Sequence, residues 1–147
     1  MTRREHPWLS YKKIATQTAS PGQLVLMLYE GAVGFLEKSL RGFHHDDPLE
    51  FNRTINNNVL RAQAIISEMN YSLNMERGGE LALHFRRLYD YMDDRLREAN
   101  VKKQKEPIIE VIGRLQVLRD SWAEMLRQRP EQIGAENSGE GLESAVA

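Results

Sequence analysis

Residues 77–96, RGGELALHFRRLYDYMDDRL, decide the fold. At about 100° per residue, Leu81, Phe85, Leu88, Tyr89, Met92, Leu96 and, just beyond, Ala99 fall within roughly a quarter to a third of a helix's circumference. Such a stripe is the core face of an amphipathic helix. Tyr91 stands about 110° from its centre by the same arithmetic, on a shoulder with His84 and Arg95. Tyr89 is therefore expected to pack and Tyr91 to face outward or sideways. Gly78 and Gly79 interrupt the pattern, so this helix is predicted to begin near them and to run to about Asn100.

The flanking segments repeat the helical grammar. Ser20-Pro21-Gly22-Gln23 reads as an N-cap, a proline at the first helical position and a residue able to close a capping box, opening a helix to about Phe43. Asp47-Pro48-Leu49-Glu50 does the same for a second helix, which lasts to about Leu73, with FHHDD as the turn between them. Pro107 starts a fourth, in which Ile108, Val111, Ile112, Leu115, Leu118, Trp122 and Met125 recur at helical spacing. No useful length shows strand alternation, and the connections are short. The expectation is an all-α, antiparallel four-helix bundle over 20–129. Residues 1–19 read as an N-terminal leader: Trp8, Leu9, Tyr11 and Ile14 form a short apolar segment that needs something to lean on. Residues 130–147, rich in Gly, Ser and Glu, read as a disordered acidic tail.

Composition narrows the functional classes. The 147 residues include 20 basic and 21 acidic ones, so no electrostatic footprint for nucleic acid or an anionic membrane exists. There is no cysteine, which removes disulfides, thiolate metal sites and a cysteine nucleophile, and suits a reducing cytosol. The densest apolar run, LVLML at Leu24 to Leu28, is far too short for a membrane span, and the N-terminal stretch lacks the apolar core of a secretory signal. No catalytic residues, cofactor or metal are expected. A di-iron bundle needs paired Glu-x-x-His motifs, and this chain has none; Glu80 and His84 are four apart and stand alone. His44 and His45 lie in a turn and read as solvated. His84 on its shoulder fits a histidine phosphotransfer domain, yet Phe85-Arg86-Arg87-Leu88 after it lacks the glycine that would clear space for a receiver. Asn52 and Asn56 to Asn58 are weak helix formers and read as a solvated face, with amide contacts to a bound backbone as the alternative.

Each helix carries more apolar residues than one stripe can use. The second has a clean stripe at Phe51, Ile55, Val59, Ala62, Ile66, Met69 and Leu73, while Leu60 and Ile65 are expected to point elsewhere. The fourth leaves Ile109 and Val117 off its stripe. In the first, Leu26 and Met27 lie beyond the arc of Leu24, Val25, Leu28, Ala32, Phe35 and Leu36. Isolated exposed apolar side chains are ordinary. Recurring on four helices, the surplus reads as grooves for a partner's amphipathic helix.

These residues resemble the flagellin-specific export chaperone family FliS, small cytosolic four-helix bundles of bacteria. The likeness rests on ASPGQLVLMLYEGA at 19–32, ERGGELA at 76–82, LYDYM at 88–92, RLREAN at 95–100 and VIGRLQVLRDSW at 111–122. The combination of GGE with LYDYM is the most specific part. The resemblance implies a non-enzymatic chaperone of flagellar type III secretion. It implies that the C-terminal helical segment of flagellin is bound in surface grooves, kept from polymerising and delivered to a component of the export gate. It also implies that a leader tyrosine, here Tyr11 with Ile14 one turn on, covers part of that surface when flagellin is absent. The binding residues expected from the surplus count are Leu60, Ile65, Tyr91, Ile109 and Val117. The alternative function is a helical-bundle adaptor or histidine phosphotransfer domain, and a weak homodimer through the same surface is left open. Two departures stand out: a longer leader, with Arg3, Arg4, Pro7 and Trp8 ahead of Tyr11, and Asp93 and Asp94, rim charges that could alter partner preference.

Overall fold

The computed structural model describes residues 20–128, which form four α-helices: α1 Pro21–Gly42, α2 Pro48–Tyr71, α3 Met75–Lys102 and α4 Glu106–Gln128. The readings placed on 1–19 and 130–147 lie outside the described residues. Two starts follow the caps read from the sequence. The Ser20 hydroxyl accepts from the Gln23 amide at 3.2 Å and the Asp47 carboxylate from the Glu50 amide at 3.1 Å, each satisfying a first-turn donor that the helix cannot.

The third start differs from expectation. Asn74, not the glycines, caps α3, accepting from the Glu76 and Arg77 amides at 3.1 and 2.9 Å. The glycine pair then bends the helix instead of preceding it. Gly79 adopts φ 59°, ψ −136°, a conformation that side-chain-bearing residues avoid, and the long straight part of α3 begins after it. Leu81, expected on the core face, is exposed, because Ala82 takes the inward place in the turn after this break.

The four helices form a ring in which α1 packs on α2 and α4, and α3 packs on α2 and α4. Side-chain pairings show that all four seams are antiparallel. Phe43 stacks edge-on against Phe51 with ring centroids 5.5 Å apart while Arg61 reaches back to Phe35. Trp122 Nε1 donates to the Gly22 carbonyl at 2.7 Å, and Arg119 meets Glu30 further along the same seam.

The α2/α3 seam carries a regular set of polar rungs. Asn100 Nδ2 donates to Asn56 Oδ1 at 2.9 Å, Gln63 Nε2 to Asp93 Oδ1 at 3.0 Å, and Arg86 Nε to Asn70 Oδ1 at 3.2 Å. The positions climb by seven on α2 and descend by seven on α3, the spacing at which two helices return the same flank to each other. Asn56 is thus neither solvated nor waiting for a guest backbone; it faces α3. Asp93 is drawn into the same seam and, with Asp94, also holds Arg97 on its own helix.

Inside the ring lie Leu36, Ile55, Val59, Ile65, Ile66, Tyr89, Met92, Leu96, Ile108, Val111 and Leu115, all essentially inaccessible. Tyr89 packs inward as expected, and its hydroxyl meets that of Tyr29 at 2.7 Å across the diagonal of the bundle. Burial pushes both phenols above the ordinary 10. Ile65 corrects the sequence reading: it is 0% exposed. A helix in a ring touches two neighbours, so the buried residues of α2 occupy Ile55, Asn58, Val59, Ala62, Ile65, Ile66 and Met69, a wider arc than a single stripe. Leu26 likewise packs, half-buried, against the core.

Candidate partner-binding surface

With Ile65 removed, the outward apolar residues are Leu60 at 51% exposure on α2, Tyr91 at 41% on α3, and Ile109 and Val117 at 55% and 64% on α4. Tyr11 and Ile14 lie outside the described residues. Leu60 lines a depression of about 260 Å³ with Asn57, Arg61 and Ala64. Further along the same outer face, Ser67, Asn70, Tyr71 and Arg86 line a second of similar size. Tyr71, which the surplus count did not single out, is the most exposed of the large apolar side chains. Its place two residues from the end of the apolar stripe of α2 was the available signal.

Tyr91 is both exposed and held. Its hydroxyl donates to Glu110 Oε2 on α4 at 2.6 Å. The same carboxylate accepts from Arg95 Nε at 2.8 Å and Arg114 Nε at 3.0 Å, and Arg95 also meets Glu98 at 2.9 Å. The Arg114 guanidinium lies over the Tyr91 ring, 5.0 Å from its centroid. The Tyr91 hydrogen bond, followed by those from the two arginines, holds the Glu110 carboxyl at about 2, against an ordinary 4.5. So the second tyrosine faces a carboxylate on the neighbouring helix, at the rim of the α3/α4 seam, with its ring part-exposed beneath Arg114. Sequence periodicity placed Tyr91 on a shoulder; the partner across the seam carries no local signal.

Ile109 and Val117 lie four residues either side of Gly113, on the outward strip of α4. A Cβ added at Gly113 would meet none of the described residues within 4 Å. His44, His45 and His84 are exposed, and among the described residues no cluster of three or more His, Cys, Asp or Glu could hold a metal ion. Among the described residues no helix is long and apolar enough to cross a membrane.

The arrangement is a closed bundle with partly apolar outer faces and a fixed polar hub, which suits binding another chain. Comparison with known proteins gives the family. Residues 5–129 match the family described as "Flagellar protein FliS". The chain is 34% identical over 132 residues to the flagellar secretion chaperone FliS of Bacillus subtilis, covering 89% of this chain and 95% of that protein. It is 31% identical over 111 residues to that of Salmonella typhimurium, covering 76% and 80%. The flagellar secretion chaperone FliSB of Pseudomonas aeruginosa is 32% identical over 104 residues, covering 71% and 79%. The relatives' names are those of chaperones, a non-enzymatic class, and the chain belongs to the FliS family of flagellar proteins.

Proposed function

We propose that this protein acts in the cytosol on the C-terminal segment of flagellin, holding it from polymerising and presenting it to a component of the flagellar export gate. The observation that carries this reading is that Leu60, Tyr91, Ile109 and Val117 stay outside a core that is already complete without them. A disordered segment that folds on binding loses conformational entropy, which burial of apolar area over a long wrapped contact offsets at about 25 cal/mol per Å². Side chains spread over three helices suit a guest that wraps. The family membership supports a flagellar partner.

The leader completes the scheme. Tyr11 and Ile14 serve as an intramolecular lid over part of the same surface, which flagellin must displace, so the free protein shields its apolar faces until its guest arrives. Titration with a flagellin C-terminal peptide, followed by circular dichroism, should show helix gained on mixing; a spectrum equal to the sum of the components would count against the proposal. Deleting residues 1–14 should raise affinity for the peptide if the leader is a lid. Weaker binding would make the leader part of the contact instead.

A further inference from the structure

The hub at the α3/α4 rim goes further than an apolar landing strip. We infer that Arg114 is a preformed receptor for one carboxylate on the bound helix, and that the guest lays its apolar side along Ile109, Gly113 and Val117 while that carboxylate meets the guanidinium. The inference rests on the flagellin reading for the identity of the guest and adds the chemistry by which the guest is positioned.

Three observations carry it. First, Arg114 is held by two contacts before any partner arrives. Its Nε donates to Glu110 and its guanidinium carbon lies over the Tyr91 ring, 5.0 Å from the centroid, while its two terminal nitrogens make no hydrogen bond among the described residues and the side chain is about half exposed. A guanidinium so fixed presents a parallel pair of donors, the geometry that a carboxylate accepts in bidentate fashion, with little rotamer entropy left to lose. Arg95, by contrast, spends both Nε and a terminal nitrogen on Glu110 and Glu98.

Second, Arg114 stands on α4 itself, three residues before the exposed Val117, whereas Arg95 and Lys102 stand on α3 and each is paired with Glu98.

Third, no described residue requires Gly113. A glycine within a helix is less favourable than alanine, and a methyl group at this position would crowd none of the described residues. It lies between the exposed Ile109 and Val117, one turn from each. Bare backbone between two apolar side chains lets a second helix approach closely, which brings a residue on the flank of that helix within reach of Arg114. The chain's own acidic tail is the rival occupant, since 130–147 carry four glutamates and no lysine or arginine. Its apolar residues, Ile133, Leu142 and Val146, are interrupted by glycines and do not form a stripe that would cover Ile109 and Val117.

The test uses the full-length chain and a flagellin C-terminal peptide, by calorimetry. Arg114→Ala should weaken binding about tenfold with an unchanged melting temperature, and Arg114→Lys should recover little of it, because an ammonium cannot reproduce the fork. Exchanging the acidic residues of the peptide for amides one at a time should find one position that costs wild type about tenfold and Arg114→Ala nothing more. This arm leaves the chaperone untouched, so misfolding cannot mimic it. Wild-type binding that is indifferent to both Arg114→Ala and every amide exchange overturns the receptor alone. No binding by wild type overturns the flagellin reading and the receptor with it. Tighter binding after Glu136, Glu140 and Glu143 of the chaperone are changed to glutamine would assign Arg114 to the tail instead.

Discussion

On its α2 side, α3 offers Arg86, Asp93 and Asn100 at seven-residue intervals, and each meets a partner on α2. On its α4 side the polar contacts converge on one carboxylate, Glu110, and Ile109, Val117 and the ring of Tyr91 stand exposed around it. The first flank distributes hydrogen bonds along a seam and so fixes how two helices register. The second gathers them at a point and so fixes a few side chains that remain part-exposed. A seam satisfied along its length serves the fold; the hub among exposed apolar groups is the part we propose serves a partner.

The sharpest way to break this comparison is to move a carboxylate from the outside of the ring to the inside. Ile65→Asp puts an unpaired charge in a fully buried position and should cost about 3–5 kcal/mol, enough to unfold much of the protein at ambient temperature. Val117→Asp should change stability by no more than about 0.5 kcal/mol and weaken flagellin binding. Urea melts of the two variants check this, and equal stabilities would show the inside and outside to be wrongly assigned.

Removing the rungs tests the first flank. Asn56→Ala, Gln63→Ala and Asn70→Ala together should lower stability by about 2 kcal/mol, since each rung is a part-exposed hydrogen bond contributing about 0.5–1.5 kcal/mol. Peptide affinity should change little, and only through Asn70, which lines the depression beside Tyr71. A large loss of binding at unchanged stability would place the guest on the α2/α3 seam.

The second flank should respond in the opposite sense. Glu110→Ala frees Tyr91, Arg95 and Arg114 at once, and peptide affinity should fall several-fold while the midpoint in urea shifts by less than in the rung triple variant. A fall in stability without a change in affinity would make the hub one more seam contact.

The smallest effect is a titration. Because the folded carboxyl of Glu110 lies near 2 and the unfolded one near 4.5, its contribution to stability is complete above about pH 4.5 and is lost as pH falls towards 2. Carboxyl-carbon NMR should give that low value for wild type and a higher one for Tyr91→Phe, which loses the strongest hydrogen bond to the carboxylate. An unmoved midpoint in Tyr91→Phe would remove the tyrosine from the hub.

Much of the fold is written locally. Ser20 and Asp47 announce two helix starts, and the inward stripe of α3 predicts the burial of Tyr89, Met92, Leu96 and Ala99, because capping and periodicity depend on residues within a turn or two. Ile65 was misread for a different reason. One stripe per helix assumes one neighbour, whereas a ring supplies two, and the extra burial falls on the flank where α2 meets its neighbours. Asn74 was passed over because the glycines looked like the boundary, although a glycine with positive φ can bend a helix as readily as precede one. The exposure of Leu60, Tyr91, Ile109 and Val117 was legible as a surplus of apolar residues. Their organisation was not: Glu110 lies nineteen positions from Tyr91, and only the antiparallel return of α4 brings them together.

The most direct test is a methyl-labelled spectrum of the Ile, Leu and Val side chains, titrated with the flagellin C-terminal peptide. Leu60, Ile109 and Val117 should shift, while Ile65 and Ile108, one of them the immediate neighbour of Ile109, stay where they are. Shifts confined to the buried methyls, or none at the three outward ones, would contradict the claim that the guest binds on side chains the bundle leaves outside.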